Sequence, residues 1–288
     1  MTVEPEREPV AAGTFYELRR SSLEEQIRRA FLHPIGPGNL PEKVAGTERA
    51  SIGYISPHAG YLYSGPVAAH TYLSLSREKK PQTIIIIGPN HTGLGPSVSL
   101  APWKYWRTPL GRVEVDVELR DYMIANSRVA LPEFSAHLYE HSIEVQLPFI
   151  QFIYSEAPRI LPIAMKEQSP RTAEALAEEL LEGVKKLGRD AIFIASTDMS
   201  HYEPHDLVMK KDLETFEKIA QGDTRKFFEH IVKNDVSMCG PGGVMVLMHL
   251  SRILGGRAEL LKYATSGDVT GERDAVVGYL SARFSLRK

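Results

Sequence analysis

The chain has almost no cysteine, no dominant charge sign and no long apolar run, and each shortage removes a class of protein. A single cysteine, Cys239, cannot close an internal disulfide, so a disulfide-stapled scaffold is excluded and a reducing cytoplasm is the expected home. Lysine and arginine total 34 against 36 aspartate and glutamate, a net charge of −2. The basic residues are scattered, which leaves no footprint for nucleic acid or for an anionic membrane. No stretch reaches the length that spans a bilayer, and the charged, proline-bearing residues 1–9 lack the apolar segment of a secretory signal. Asparagine occurs only at Asn39, Asn90, Asn126 and Asn234, a scarcity expected of a thermophilic source.

What the sequence does have is three apolar, β-like segments that each run into a histidine. Residues 51–58 end in Pro57-His58, 83–91 in Gly88-Pro-Asn-His91, and 191–201 in Ser196-Thr-Asp-Met-Ser-His201. Loops at the carboxyl ends of parallel strands are where open α/β sheets place ligands, so these histidines are expected to converge on one cleft. Isoleucine at four consecutive positions, Ile84 to Ile87, predicts a strand covered on both faces, hence central and parallel. A helix capped by Ser64, with Pro66 in its first turn, runs to about Leu75 and joins the first strand to that one. This βαβ unit sets the loops of His58 and His91 at the same sheet edge. With 43% hydrophobic residues over 288 positions the composition fills a continuous core, and residues 1–288 read as a single α/β domain.

The remaining elements follow from capping and periodicity. Ser22 with Glu25 three residues on predicts a capping box, and Leu23, Ile27, Ala30 and Phe31 an apolar face, for a first helix that stops at Pro34. Helices are predicted near 117–127, 142–153, 172–187, 206–220, 224–233 and 244–254, that at 224 capped by Asp223. Strands are predicted near 160–164, 191–195, 260–264 and 275–284, the last two joined by a turn-rich segment at 266–271. Residues 93–117 read as irregular, ending in short strands, with Trp103 and Trp106 expected to pack that loop onto the body rather than to wall a cleft.

A histidine is more often a core or surface residue than a ligand, and His33, His70, His137, His205, His230 and His249 read that way. His58 and His91 each follow a proline-containing turn at a strand end, which fixes the direction of the ring; both read as metal ligands. Cys239 precedes a glycine-rich helix start, Gly240-Pro-Gly-Gly243, where unpaired N–H groups and the helix dipole favour the thiolate that a metal or an electrophile needs. Its other reading is a small buried hydrophobe. Two or three histidines with one thiolate make the ligand set of a mononuclear metal site. Asp198, three residues before His201, is placed to orient and polarise that ring, and the two read as an acid/base pair. In Glu140-His-Ser-Ile-Glu144, the apolar 143, 147 and 150 share one helical face while His141 and Glu144 share another that can face the cleft.

Taken together, Pro57-His-Ala-Gly-Tyr61 with Ser64-Gly65, Gly88-Pro-Asn-His91, Thr108-Pro-Leu110, Glu140-His-Ser-Ile-Glu144 with Leu147-Pro148, Ser196-Thr-Asp-Met-Ser-His201 and Met238-Cys-Gly240 stand in the order seen in the Memo family. The start, Ala12-Gly-Thr-Phe-Tyr16, also resembles that family, so the likeness covers nearly the whole chain. It implies a relation to the class III extradiol dioxygenases: a three-layer α-β-α fold with a central mixed, largely parallel sheet and a non-haem iron site at strand ends. It implies His58, His91 and Cys239 as ligands of one iron or copper ion, with Asp198 and His201 in the same pocket and His201 matching the catalytic base. His141 is expected in that cavity as well, as a catalytic residue beside Asp198 and His201, because its loop leaves the same sheet edge. Prokaryotic members are also known as protein B of the AmmeMemoRadiSam system, which implies a radical-SAM protein and a small companion protein as partners. Where the dioxygenases have a carboxylate this sequence has Cys239, whose thiolate favours softer metals, and Pro241-Gly242 replaces larger polar residues of some relatives.

Three functions compete on this basis. One is a metal-dependent redox enzyme in which His201, positioned by Asp198, moves protons. Another is a metal-free hydrolase with Cys239 as nucleophile, His201 or His91 as base and the glycine turn as oxyanion hole. The third keeps a dioxygenase-like pocket as a non-enzymatic binding or metal-handling subunit.

Overall fold

The computed structural model describes residues 6–42 and 46–287. Its strands are β1 Glu6–Arg7, β2 Ser51–Ser56, β3 Thr83–Pro89, β4 Val98–Leu100, β5 Tyr105–Thr108, β6 Gly111–Glu114, β7 Ala130–Pro132, β8 Arg159–Met165, β9 Ala191–Ser196, β10 His201–Glu203, β11 Gly256–Thr265 and β12 Val276–Leu286. The helices are α1 Arg20–Leu32, α2 Tyr61–Ser76, α3 Val117–Asn126, α4 Ser135–Leu138, α5 Leu147–Ile153, α6 Pro170–Lys186, α7 His205–Gln221, α8 Thr224–Lys233, α9 Pro241–Leu254 and α10 Ser266–Thr270. A 3-10 turn, Glu144–Gln146, leads into α5.

Nine strands form one mixed sheet in the order β10-β12-β2-β9-β3-β8-β4-β7, with β11 paired to β12. The central four, β2, β9, β3 and β8, run parallel, and antiparallel β12 and β4 flank them. The four isoleucines of β3 show why this strand lies in the middle. Ile84 and Ile86 point into the core beneath α1, α2 and α5, whereas Ile85 and Ile87 point into the core beneath α3, α6, α8 and α9. A strand whose two faces are both apolar must be covered twice, and the result is the expected three-layer α/β architecture.

Several expectations are revised. The strand joined to β3 by α2 is not its neighbour: β9 lies between β2 and β3, so the loop carrying Asp198 stands between those carrying His58 and His91. Helix α1 buries Leu23, Ile27, Ala30 and Phe31 as expected, but it begins before Ser22, at Arg20, and its N-cap Arg19 makes no side-chain cap. Ser64 and Pro66 lie inside α2, which starts at Tyr61, and the Ser64 hydroxyl donates back to the Ala59 carbonyl at 2.8 Å. The expected turn at 266–271 is the short helix α10, closed by a capping box between Thr265 and Asp268. Asp223 does cap α8, accepting from the N–H groups of Arg225 and Lys226, and Trp103 and Trp106 are buried in the core. No helix among the described residues is long and apolar enough to cross a membrane.

Candidate metal centre

The parallel strands β2, β3 and β9 all end at one edge of the sheet, and the first residues beyond them carry the chemistry. His58 follows β2, His91 follows β3, and Thr197 and Asp198 follow β9. A third histidine arrives from the segment before the 3-10 turn: His58, His91 and His141 each offer a ring nitrogen, all within 4.8 Å of one another. Gly88 permits this approach, because a Cβ there would stand 2.4 Å from the Ser142 hydroxyl.

The rings are held from behind. The Ser196 hydroxyl spends its one proton on the Ser142 carbonyl at 2.7 Å, so toward His58 Nδ1, 2.9 Å away, it can only accept. His58 therefore carries its proton on Nδ1 and leaves Nε2 unprotonated. Gln146 fixes Ser196 in turn: its amide nitrogen donates to that hydroxyl and to the Pro57 carbonyl, and Tyr72 donates to its oxygen. His91 is held by Glu140, fully buried, which accepts from the His91 backbone N–H at 2.6 Å and from Nδ1 at 2.9 Å. Carboxylate or hydroxyl on one ring nitrogen, with the other aimed inward, is how proteins orient histidine ligands. His141 is sandwiched, its ring stacked on Phe15 at 4.2 Å and on His91 at 4.8 Å.

Electrostatics suits ligation. Burial, then the charge of His91, pushes the His58 ring down to about 3, and burial with His58 brings His141 to about 4. Both are neutral at physiological pH. For His91 burial works downward, but the hydrogen bond and charge of Glu140 outweigh it and raise the ring above its ordinary value. Burial would raise Glu140, yet His91 holds it at about 2.

Of the expected ligands His58, His91 and Cys239, the structure groups the two histidines with His141 instead: Cys239 sits beside the trio and outside it, its Sγ 3.4 Å from His58 Nε2 and accepting the Asp198 backbone N–H at 3.2 Å. The expected thiolate is absent in the metal-free protein: burial, then the charge of Asp198, pushes the thiol up to about 12. Helix α9 has Gly240 as its N-cap, and burial outweighs whatever its dipole supplies. Asp198 is buried, and burial raises its carboxyl. Its Oδ1 accepts the His58 backbone N–H at 2.8 Å, and its Oδ2 is 4.0 Å from His58 Nε2. His201 is half-buried, and its charge bears on both His58 and Asp198.

Against expectation, Asp198 does not orient His201; the Ser237 carbonyl does, 2.8 Å from Nδ1. Glu144 does not face the cleft. It is fully buried and takes Arg7 at 2.6 Å, the N–H groups of Val10 and Ala11, and the Tyr16 hydroxyl. His141, expected in the pocket as a catalytic residue, lies in the three-histidine cluster. Glu140 and Ser196, the groups that aim His91 and His58, carry no local signal of that role in the sequence, because their partners lie too far along the chain for any local pattern to find.

The mixed α/β sheet thus gathers His58 and His91 at the ends of its parallel strands and His141 from the segment before the 3-10 turn, a cluster of three rings that could hold a metal ion. Residues 7–283 match the Memo-like protein family. The chain is 50% identical over 281 residues to a MEMO1 family protein of Ignicoccus hospitalis, covering 97% of this chain and 99% of that protein. It is 48% identical over 280 residues to one of Saccharolobus solfataricus (96% and 99%) and 47% identical over 280 residues to one of Desulfurococcus amylolyticus (97% and 99%). The chain belongs to the Memo-like family.

Proposed function

We propose that this chain holds a single iron or copper ion among His58, His91 and His141, with Cys239 as a further ligand, and uses it for redox chemistry on a small molecule. The observation that carries this is the convergence of three rings, two of them locked through Nδ1, on one point beside the only thiol. The three rings fit such an ion, their nitrogens lying within 4.8 Å of one another, and Cys239, outside that group, places its Sγ 3.4 Å from His58 Nε2. Imidazole with thiolate suits iron or copper rather than magnesium or calcium, and such an ion, when bound, supplies the electron-transfer step.

The chain's own residues do the rest. His201 keeps Nδ1 on the Ser237 carbonyl, which leaves Nε2 to exchange protons between solvent and the pocket. Asp198, its carboxyl raised by burial and set against His58, holds a proton or a substrate hydroxyl at the inner end of that path. The metal-free nucleophile is less well supported. A thiol at about 12 beside an imidazole at about 3 has no competent base in contact with it.

Elemental analysis of anaerobically purified protein tests the proposal. One transition-metal ion per chain is expected, lost in His58→Ala and His91→Ala and retained in His201→Ala. Metal content that is negligible in the parent, or unchanged by the first two substitutions, overturns it.

A further inference from the structure

The buried pair Arg7–Glu144 takes no part in the chemistry above, although both side chains are sealed from solvent at 1% and 0% exposure. Such a pair is costly to bury, and breaking it leaves an uncompensated charge. Its contacts explain where it acts. Arg7 donates from Nε to the His137 carbonyl at 2.9 Å, from Nη2 to the Glu140 carbonyl at 2.7 Å and from Nη1 to Glu144 at 2.6 Å. One guanidinium thus grips residues 137–144, the segment that presents both His141 and Glu140. Glu144 fills its remaining acceptor sites with the N–H groups of Val10 at 2.9 Å and Ala11 at 2.8 Å and the Tyr16 hydroxyl at 2.6 Å.

Those bonds fold the arm at 10–16 so that Phe15 stacks on His141, ring centroids 4.2 Å apart and planes within 25°. The arm also reaches the His58 loop. The Phe15 carbonyl accepts the Tyr61 N–H at 2.7 Å, and the Tyr61 hydroxyl donates to the Val145 carbonyl at 2.6 Å. Unlike His58 and His91, the His141 ring has no hydrogen-bonded partner among the described residues; the Glu140 carboxylate is 3.7 Å from its Nδ1.

We propose that Phe15, held by the Arg7–Glu144 pair, is the positioning residue for His141, supplying by stacking the orientation that Ser196 and Glu140 supply to the other two rings by hydrogen bonds. The proposal rests on the metal-centre reading. The test is cobalt(II) binding by the full chain, read as affinity, stoichiometry and the visible d–d spectrum, with the melting temperature of the metal-free protein measured in parallel. Phe15→Leu keeps apolar bulk but loses the flat face; affinity is expected to fall on the order of 10-fold, the range known for outer partners of ligands, with an altered spectrum and a melting temperature close to the parent's. Phe15→Trp is expected to restore both affinity and spectrum. Arg7→Met should give the same spectral change; if it fails to fold, the two Phe15 variants decide the matter. Parent affinity and spectrum in Phe15→Leu overturn the positioning role while leaving the metal centre standing. No cobalt in the parent, or undiminished binding in His58→Ala, overturns the metal centre and this inference with it.

Discussion

Glu140 concentrates the logic of the site in one side chain. Its two oxygens take the His91 backbone N–H, the His91 ring and the Ser142 N–H, so it fixes the His91 ring and the segment that carries His141 together. Glu140→Gln keeps the shape but must turn an NH2 group toward a donor, and it removes the charge that raises His91. Cobalt affinity is expected to drop about 10- to 100-fold in a competition titration; an unchanged affinity would show that Glu140 serves folding alone. Because its folded pKa is depressed from 4.5 to about 2, Glu140 contributes stability above pH 4.5, lost as pH falls toward 2. His58 and His91 were legible because strand, turn and ring are contiguous in sequence. Glu140 and Ser196 were not, since each meets its histidine across a gap, 49 and 138 residues long, that only the sheet order closes.

At the level of elements, the sequence pattern located most strands and helices because burial on both faces or on one stripe leaves a local period. It did not reveal that β9 inserts between β2 and β3, because strand order is set by which faces the crossover helices must cover. Nor did it show that the helix expected from 142 would open as a turn at 142–143 and a 3-10 turn at Glu144–Gln146, becoming α-helical only from Leu147. The contact that makes this approach possible is legible only in three dimensions: Gly88, at the end of β3, has Ser142 Oγ where a Cβ would come within 2.4 Å and Ile143 Cγ1 within 3.0 Å. Gly88→Ala is therefore expected to push the 140–143 segment off the strand. Overpacking of this kind costs about 1–3 kcal/mol, measurable by urea denaturation, and cobalt affinity should fall with it because His141 rides on that segment. Loss of stability with unchanged affinity would mean that the segment repositions without carrying His141 away.

For the whole molecule, protons and folding are linked through the same cluster, and with them the proposed metal, which lets proton release test whether Cys239 belongs to the ligand set. His58 and His141 have folded pKa values of about 3 and 4, below their ordinary 6.5. The unfolded chain takes up their protons first, so metal-free protein is expected to lose stability as pH falls from 6.5 toward 4. Above pH 7 these two rings are already neutral and release nothing when an ion binds. Cys239 behaves oppositely: its thiol is pushed up to about 12, so ligation as thiolate must expel a proton anywhere between pH 7 and 9, and affinity rises about tenfold per pH unit. A site made only of histidines lacks that slope once His91, raised by Glu140, has itself lost its proton. Calorimetric titration of cobalt(II) at pH 8.5, in two buffers of different ionisation enthalpy, counts the protons released. The parent is expected to release one more than Cys239→Ser, which keeps all three rings and their partners. Equal counts would take the sulfur out of the ligand set and leave His141 as the third ligand, whereas the expected difference makes the thiolate part of what the folded protein offers the ion.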